Sequence, residues 1–303
     1  MTRVLVTGAR GFVGRPVTAA LAAAGLEVHG TSLGATGSVP GVVAMHQVDL
    51  LDAVASRRLI SAIRPNALVH LAWCAKPPSY WSDLDNVRWT AASLELLRAF
   101  ADAGGTRVVA VGTCAEYDWS AGHCDERTTP IAPSTLYGAS KAALGTLLQA
   151  FSREARISAA WARLFFMFGP GDSPARLVPT IVSRLQAGLP AHCTSGSHIR
   201  DFLFVDDVAD ALVALLKSPV VGAINVASGV PTSVGSLAAT VAEKTGRSDL
   251  LRVDDGSREN AVVVADVTRL RDEVGWVPRT PIDAALDETV RWWQRHATVD
   301  TPA

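Results

Sequence analysis

Tyr137 and Lys141 stand four residues apart in Tyr137-Gly138-Ala139-Ser140-Lys141, inside an apolar run of good helix formers from Leu136 to Phe151. A helix stacks residues i and i+4 on one face, so phenol and ammonium can enter one site. A lysine charge beside a tyrosine favours the phenolate and lowers its pKa from about 10 toward neutrality. Such a phenol can protonate a carbonyl under reduction or take the proton of an alcohol under oxidation. Near the start of the chain stands Gly8-Ala9-Arg10-Gly11-Phe12-Val13-Gly14. Gly8 permits a tight turn, Gly11 lets backbone approach a pyrophosphate, and Gly14 allows close helix packing. The spacing is GxxGxxG rather than GxGxxG.

Positioning these groups takes a strand before the glycines and a helix after them. Arg3-Val4-Leu5-Val6-Thr7 has the apolar character of a buried parallel strand, and an Ala/Leu-rich helix follows, ending near Gly25. Further strand-like runs are Val28–Ser32, Ala67–Trp73, Arg107–Cys114 and Ala159–Phe168, with helices expected near 14–24, 52–63 and 83–103. This alternation predicts an α/β fold, a Rossmann-type doubly wound parallel sheet with helices on both faces. Its ligand cleft should open at the carboxyl ends of the strands, where Gly8, Trp73 and Thr113 fall. Beyond Gly169 the pattern becomes irregular and rich in Gly, Pro and Ser, without a linker or an internal repeat.

Composition narrows the class. The chain has 303 residues, 49% of them hydrophobic and 19% charged, with a formal net charge of −1. That suits a soluble enzyme with a sizeable core and offers no basic excess for nucleic acid or an anionic membrane. No apolar stretch approaches a membrane span, and no signal-peptide pattern precedes the first strand, so a cytoplasmic enzyme is expected. Cys74, Cys114, Cys124 and Cys193 lack CxxC spacing and a His cluster, so reduced thiols and no metal site are expected.

The glycine loop, Val48-Asp49-Leu50, His70-Leu71-Ala72-Trp73, Asn86, Val111-Gly112-Thr113 and Tyr137 with Lys141 occur in that order. They continue through Arg163-Leu164, Phe168-Gly169-Pro170-Gly171, Arg200-Asp201-Phe202, Asn225-Val226-Ala227 and Val274-Gly275-Trp276-Val277-Pro278. Over nearly its whole length the chain resembles the extended short-chain dehydrogenase/reductases, the NAD(P)-dependent sugar epimerases, dehydratases and reductases. The resemblance implies two lobes: a dinucleotide-binding domain over 1–168 and a smaller C-terminal substrate-binding lobe over 169–303. A segment near 224–228 would return to the main sheet. It also implies a homodimer paired through the helices near 83–103 and 135–154.

For the cofactor, Ser32 stands where NAD-preferring relatives usually carry an aspartate that repels a 2′-phosphate. Arg10 is placed to neutralise that phosphate, so NADPH is expected, with NADH as the alternative. The resemblance further places Phe12 and Val13 in the phosphate turn, Asp49 and Leu50 beside the adenine, and Leu71, Ala72 and Trp73 along the cofactor's path. It makes Thr113 the orienter of the reacting oxygen, Tyr137 the proton donor and Lys141 the tuner and ribose ligand.

Relatives that are 4,6-dehydratases carry Thr-Asp-Glu where this chain has Thr113-Cys114-Ala115. Alanine cannot take a proton from carbon and a thiol is a poor acid, so dehydration is disfavoured; Glu116 could reach the site only through a local bulge. The segment is more similar to those of 4-ketoreductases acting on nucleotide-linked 4-keto-6-deoxyhexoses. The resemblance assigns Arg200 and Arg258 to the substrate's diphosphate, places Arg176 and Val178 beside its nucleoside, and counts Cys114 with Thr113 and Phe166 among the substrate-binding residues. Phe166 departs from the family, since an asparagine usually contacts substrate there. Trp73, Tyr80 and Trp81 would add apolar surface that favours a deoxygenated sugar. The alternatives are a 4-epimerase with tightly held NAD and a catalytically silent NADP-binding protein.

Overall fold

Arg3–Thr7 (β1) is apolar on both faces because it runs through the middle of a sheet covered on both sides; Val4, Leu5 and Val6 are fully buried. The computed structural model describes residues 2–34, 37–256 and 261–296. After β1 come α1 (Gly14–Ala23), β2 (Glu27–Ser32), β3 (Ala44–Gln47), α2 (Ala53–Ile63), β4 (Ala67–His70), α3 (Asp85–Asp102) and β5 (Arg107–Thr113). The middle of the chain forms β6 (His123–Cys124), α4 (Leu136–Glu154), β7 (Ser158–Leu164) and β8 (Phe166–Phe168). Then follow α5 (Leu177–Gln186), β9 (Ala191–Cys193), β10 (Ile199–Phe204), α6 (Val205–Lys217), β11 (Gly222–Val226) and β12 (Pro231–Ser233). The chain continues through α7 (Val234–Lys244), β13 (Leu251–Val253), β14 (Val262–Ala265), α8 (Thr268–Asp272) and α9 (Ile282–His296).

Among the described residues the main sheet has seven parallel strands in the order β3-β2-β1-β4-β5-β7-β11. This is the Rossmann arrangement, and the strand order reverses between β1 and β4, where such folds bind ligands. Thr7 pairs with His70, and Thr113 with Leu164, so the glycine loop, residues 71–73 and Thr113 leave the sheet along one edge.

Helix α4 is seated close to that sheet. A Cβ on Gly145 would stand 2.8 Å from the buried Trp161 ring, so only glycine lets the helix approach this far. The Thr135 hydroxyl caps α4 by accepting from Gly138 N at 3.1 Å. That start places Tyr137 in the first turn and Lys141 one turn later.

The strand expected over 159–168 is two strands. β7 stays in the main sheet to Leu164, Phe165 packs with Tyr117 and Ala227, and β8 pairs with β10 in a second sheet. That sheet runs β12-β10-β14-β6, with β8 beside β10. β3, a short edge strand, carries too little apolar pattern to stand out in the sequence.

The half after Gly169 is also more regular than its composition suggests. Its helices are short and interrupted by glycine and proline turns, yet α6 buries Val208, Ala209, Leu212 and Leu215 with the main sheet's core. α5, α7 and α9 close a second core around Ile181, Leu185, Val241 and Trp293. Among the described residues no helix is long and apolar enough to cross a membrane, and no His/Cys/Asp/Glu group could hold a metal ion.

Candidate active site

A cleft of about 550 Å³ opens at the carboxyl edge of the main sheet, between it and the segment from Phe165 to Arg176. Gly8, Gly11, Phe12, Val13, Gly14, Leu71, Trp73, Thr113, Cys114, Tyr137, Lys141, Phe166 and Arg176 line it. Arg10, Ser32, Asp49, Leu50, Ala72, Val178 and Arg200 do not, and Arg258 lies outside the described residues.

The glycine loop is built for close approach. A Cβ on Gly14 would lie 2.1 Å from the Gly8 carbonyl oxygen, so α1 can begin directly on the turn. Its first residues thus open into the cleft, a cradle that fits a pyrophosphate. Arg10 donates to the Gly37 carbonyl and borders an adjacent groove with Arg15 and Trp292. Ser32 donates to Gly34 O at 3.0 Å, and Asp49 accepts from Leu51 N at 2.9 Å. Leu50 is buried in the core, as is Val178 on the inward face of α5.

Thr113, Tyr137 and Lys141 meet at the sheet end of the cleft. Burial first, and then the Tyr80 phenol, push Tyr137 above its ordinary range, against a smaller pull toward the phenolate from the Thr113 hydroxyl. Its ring is enclosed edge-on by Tyr80, Trp81 and Trp73, at centroid distances of 4.9, 5.7 and 6.4 Å. Lys141 Nζ donates to Val111 O at 2.9 Å and lies 3.9 Å from the Trp73 ring centre. Burial lowers it to about 7, against a smaller opposing pull from Glu116. The expected lysine-driven fall of the phenol's pKa is absent here, because burial sets the direction and the groups acting on the phenol are Tyr80, Thr113, Glu116 and Cys114 rather than Lys141.

Three supports, built on residues visible in the motifs, have roles that the motifs alone do not assign. Thr7 Oγ1 accepts from Leu71 N and Ala72 N, both at 3.1 Å, so its proton goes to His70 Nδ1 at 2.7 Å. His70 Nε2 then donates to Ser93 Oγ at 2.9 Å, and Ser93 donates to Trp89 O. Burial depresses His70 to about 3, which keeps this chain neutral and fixes residues 71–73. The pairing of a Thr and a His at adjacent strand ends was its only sequence signal. Second, Asn86 Oδ1 accepts from the Trp73 indole at 2.8 Å while its amide donates to Tyr80 O and Asp83 O, setting the aromatic wall.

Third, Glu116 turns inward. A single helical turn over 114–116 is closed by Thr113 Oγ1 accepting from Ala115 N and Glu116 Oε1 accepting from Thr113 N at 2.8 Å. Glu116, fully buried, pairs with Arg163 Nε at 2.7 Å and accepts from the Trp161 indole. It does not reach the cleft. Cys114 does, but burial raises its thiol far above the ordinary range.

On the opposite wall, Arg200 donates to Ile199 O and Ala261 O and meets His198 Nδ1 at 3.0 Å. Its guanidinium lies over Phe166 and Trp119, whose rings line the cleft. Asp201 beside it is a structural bolt, accepting from Ser228, Gly229 and Ala265 amides. Asp172 and Arg176 face the cavity and pair with each other at 3.4 Å.

A dinucleotide fold with a Thr/Tyr/Lys site defines a class of NAD(P)-dependent oxidoreductases and epimerases. The chain belongs to the NAD dependent epimerase/dehydratase family, which it matches over residues 4–227. It is 28% identical to dTDP-glucose 4,6-dehydratase of Neisseria gonorrhoeae, over 97% of this chain and 96% of that protein. It is 27% identical to UDP-glucose 4-epimerase of Streptomyces lividans, over 97% of both. Among solved structures, UDP-glucose 4-epimerase of Thermus thermophilus in complex with NAD superimposes with a TM-score of 0.87 at 27% identity, covering 98% of this chain and all of that one. MoeE5 in complex with UDP-glucose and NAD gives 0.84 at 26% identity, covering 97% and 99%.

Proposed function

We propose that this enzyme reduces the C4 ketone of a nucleotide-diphosphate 4-keto-6-deoxyhexose, a step of deoxysugar biosynthesis, with NADPH as reductant. The observation that carries the reading is the Thr113–Tyr137–Lys141 cluster, followed by a thiol and a methyl group where a dehydratase needs an acid and a base. The next carboxylate along the chain, Glu116, is held by Arg163. A phenol raised by its surroundings is protonated at neutral pH, the form a reduction requires.

A bound nicotinamide would supply the hydride. Tyr137 would give its proton to the ketone oxygen while the Thr113 hydroxyl orients it, leaving an alcohol at C4. Lys141 would hold the cofactor ribose and share its charge with the phenolate that remains. Gly8, Gly11, Phe12 and Val13 would cradle the pyrophosphate, with Leu71 and Trp73 beside the cofactor. Arg10 and the carboxylate-free position of Ser32 support NADPH over NADH. The apolar faces of Trp73, Tyr80, Trp81 and Phe166 suit a sugar that has lost hydroxyls. Val87 on α3 and Leu147 on α4 are exposed and would pair with a second copy.

A 4-epimerase with tightly held NAD is the second reading, favoured by the UDP-glucose 4-epimerases among the relatives. Net redox separates the two. Purified protein should oxidise NADPH in step with freshly generated dTDP-, GDP- or CDP-4-keto-6-deoxyhexose. Silence on all three, with a 4-hydroxy sugar nucleotide epimerised at no cost in NADPH, would favour the epimerase.

A further inference from the structure

The chain carries three tyrosines, and their hydroxyls are not equally engaged. Tyr117 donates to Asn225 Oδ1 at 2.8 Å and accepts from Arg163 Nη1 at 2.9 Å. Tyr137 is hydrogen-bonded with the Thr113 hydroxyl. Among the described residues the Tyr80 hydroxyl has no hydrogen-bond partner, although the residue is only 9% exposed. It is not sealed from solvent either. A hydroxyl withdrawn from the core's hydrogen bonds but left open is free to meet a ligand.

The cleft is what it meets. Tyr80 lines that cavity, and Arg176 and Cys114, which act electrostatically on its phenol, line it too. Burial pushes the phenol up to about 12, so at neutral pH the hydroxyl keeps its proton and can both donate and accept. The ring has little freedom. Residues Ser79–Trp81 form one tight helical turn, in which Tyr80 N donates to Lys76 O at 3.2 Å and Tyr80 O accepts from Asn86 Nδ2 at 2.8 Å. Trp81 stacks on the ring at 4.4 Å, and the Tyr137 ring meets it edge-on at 4.9 Å. A ring already fixed loses little entropy when its hydroxyl binds.

The neighbouring groups are less suited. The Trp73 indole is committed to Asn86 Oδ1, and the Trp81 indole can only donate. If Tyr137 protonates the C4 oxygen, a phenol packed against its ring meets the atoms beside C4. Of the two ring carbons there, C5 carries the methyl group and the ring oxygen. C3 alone carries a hydroxyl.

We propose that the Tyr80 hydroxyl binds the C3 hydroxyl of the sugar and makes the enzyme selective for ketones that retain it. This rests on the reading of the cleft as a 4-ketoreductase site. The apolar faces of the wall then disfavour surplus hydroxyls, and Tyr80 selects the one beside the reacting carbon.

Initial rates of NADPH oxidation by the full chain test this. The paired substrates are a 4-keto-6-deoxyhexose nucleotide and its 3-deoxy counterpart, each offered in dTDP, GDP and CDP form. Wild type should show a kcat/KM about 5- to 30-fold higher for the 3-hydroxy ketone, the scale of one buried hydrogen bond. Tyr80→Phe keeps the ring and should lose most of that preference, slowing on the 3-hydroxy ketone while staying within about twofold on the 3-deoxy one. The loss should fall mainly on KM, because the bond exists before and during hydride transfer. Trp81→Phe should keep the preference. Thermal unfolding of Tyr80→Phe should match wild type, since no protein group loses a partner. A wild type indifferent to the C3 hydroxyl, an equal loss on both ketones in Tyr80→Phe, an unchanged preference in that variant, or a deeper loss of preference in Trp81→Phe would each overturn the inference. So would a lowered unfolding temperature in Tyr80→Phe, which would make the hydroxyl structural. Absence of NADPH oxidation by wild type on every ketone would instead remove the 4-ketoreductase reading, and the inference with it.

Discussion

On the sheet side of the cleft, the glycines and the Thr/Tyr/Lys trio are fixed by local geometry: Gly8 to Gly14 by a strand-to-helix turn, Tyr137 and Lys141 by one helical turn, Thr113 by the end of β5. On the second-lobe side nothing local decides. Arg176 and Arg200 stand 24 positions apart in the sequence, and which of them meets the cavity depends on how Phe166, Trp119 and Asp172 pack. The first wall is thus a motif and the second is a product of tertiary packing. Chemistry specified by the motif should be lost outright by single substitutions. Contacts specified by packing should shift by degrees.

The largest expected effect falls on the motif. Tyr137→Phe should lower the rate of ketone reduction by about 10²–10⁴, the scale of general acid catalysis, with little change in substrate affinity. Steady-state kinetics on the reactive sugar nucleotide would show it. Full activity in that variant would remove the sheet-side wall as the seat of chemistry.

Glu116 sharpens the contrast because it lies beside the motif yet belongs to the packing. Glu116→Ala should cost about 3–5 kcal/mol of stability, the usual penalty for leaving a buried partner charge unpaired. Denaturant unfolding measures this. A rate defect with stability intact would make Glu116 an acid or base after all.

Arg10→Ala should erode the preference for NADPH over NADH by about 1.5–3 kcal/mol, as loss of a charge-assisted contact does. The chemical step should not change. Tighter binding of NADH by wild type would contradict the cofactor assignment.

The smallest effect is a pH dependence of folding. Lys141 sits at about 7 in the fold, below the ordinary lysine value. Between those values the unfolded chain holds more protons, so stability rises with pH there. Without cofactor, wild type should gain on Lys141→Met by up to about 1.4 kcal/mol per pH unit between pH 7 and about 8.5. Above that, buried thiols and phenols whose values the fold raises lower the stability of both proteins alike as pH rises, so the difference still reports Lys141. A flat difference across the window would mean Lys141 is ordinary.

The same division explains what the sequence could disclose. The strands β1, β2, β4, β5 and β7 were legible because each is a short apolar run between turn residues. Tyr137 and Lys141 were legible because helical spacing alone puts them on one face. The Thr7–His70–Ser93 chain was not, since it joins residues 63 and 23 apart through strand register. Nor was the inward turn of Glu116, which is drawn by Arg163 from the neighbouring strand. The break at Phe165 depends on where the second sheet lies, and no run of residues 159–168 encodes that. The phenol's pKa was misjudged for a related reason: Tyr80 and Trp81, far from Tyr137 in sequence, form its surroundings.

Reduction at C4 is the central claim, and one isotopic experiment reaches it directly. Deuterated NADPH, labelled at the transferring position, is incubated with the 4-keto-6-deoxyhexose nucleotide and limiting enzyme, and product is examined by mass and NMR. The account expects one NADP⁺ per product and one deuterium, bound to C4. Sugar converted with no NADPH consumed and no deuterium at C4 would contradict it.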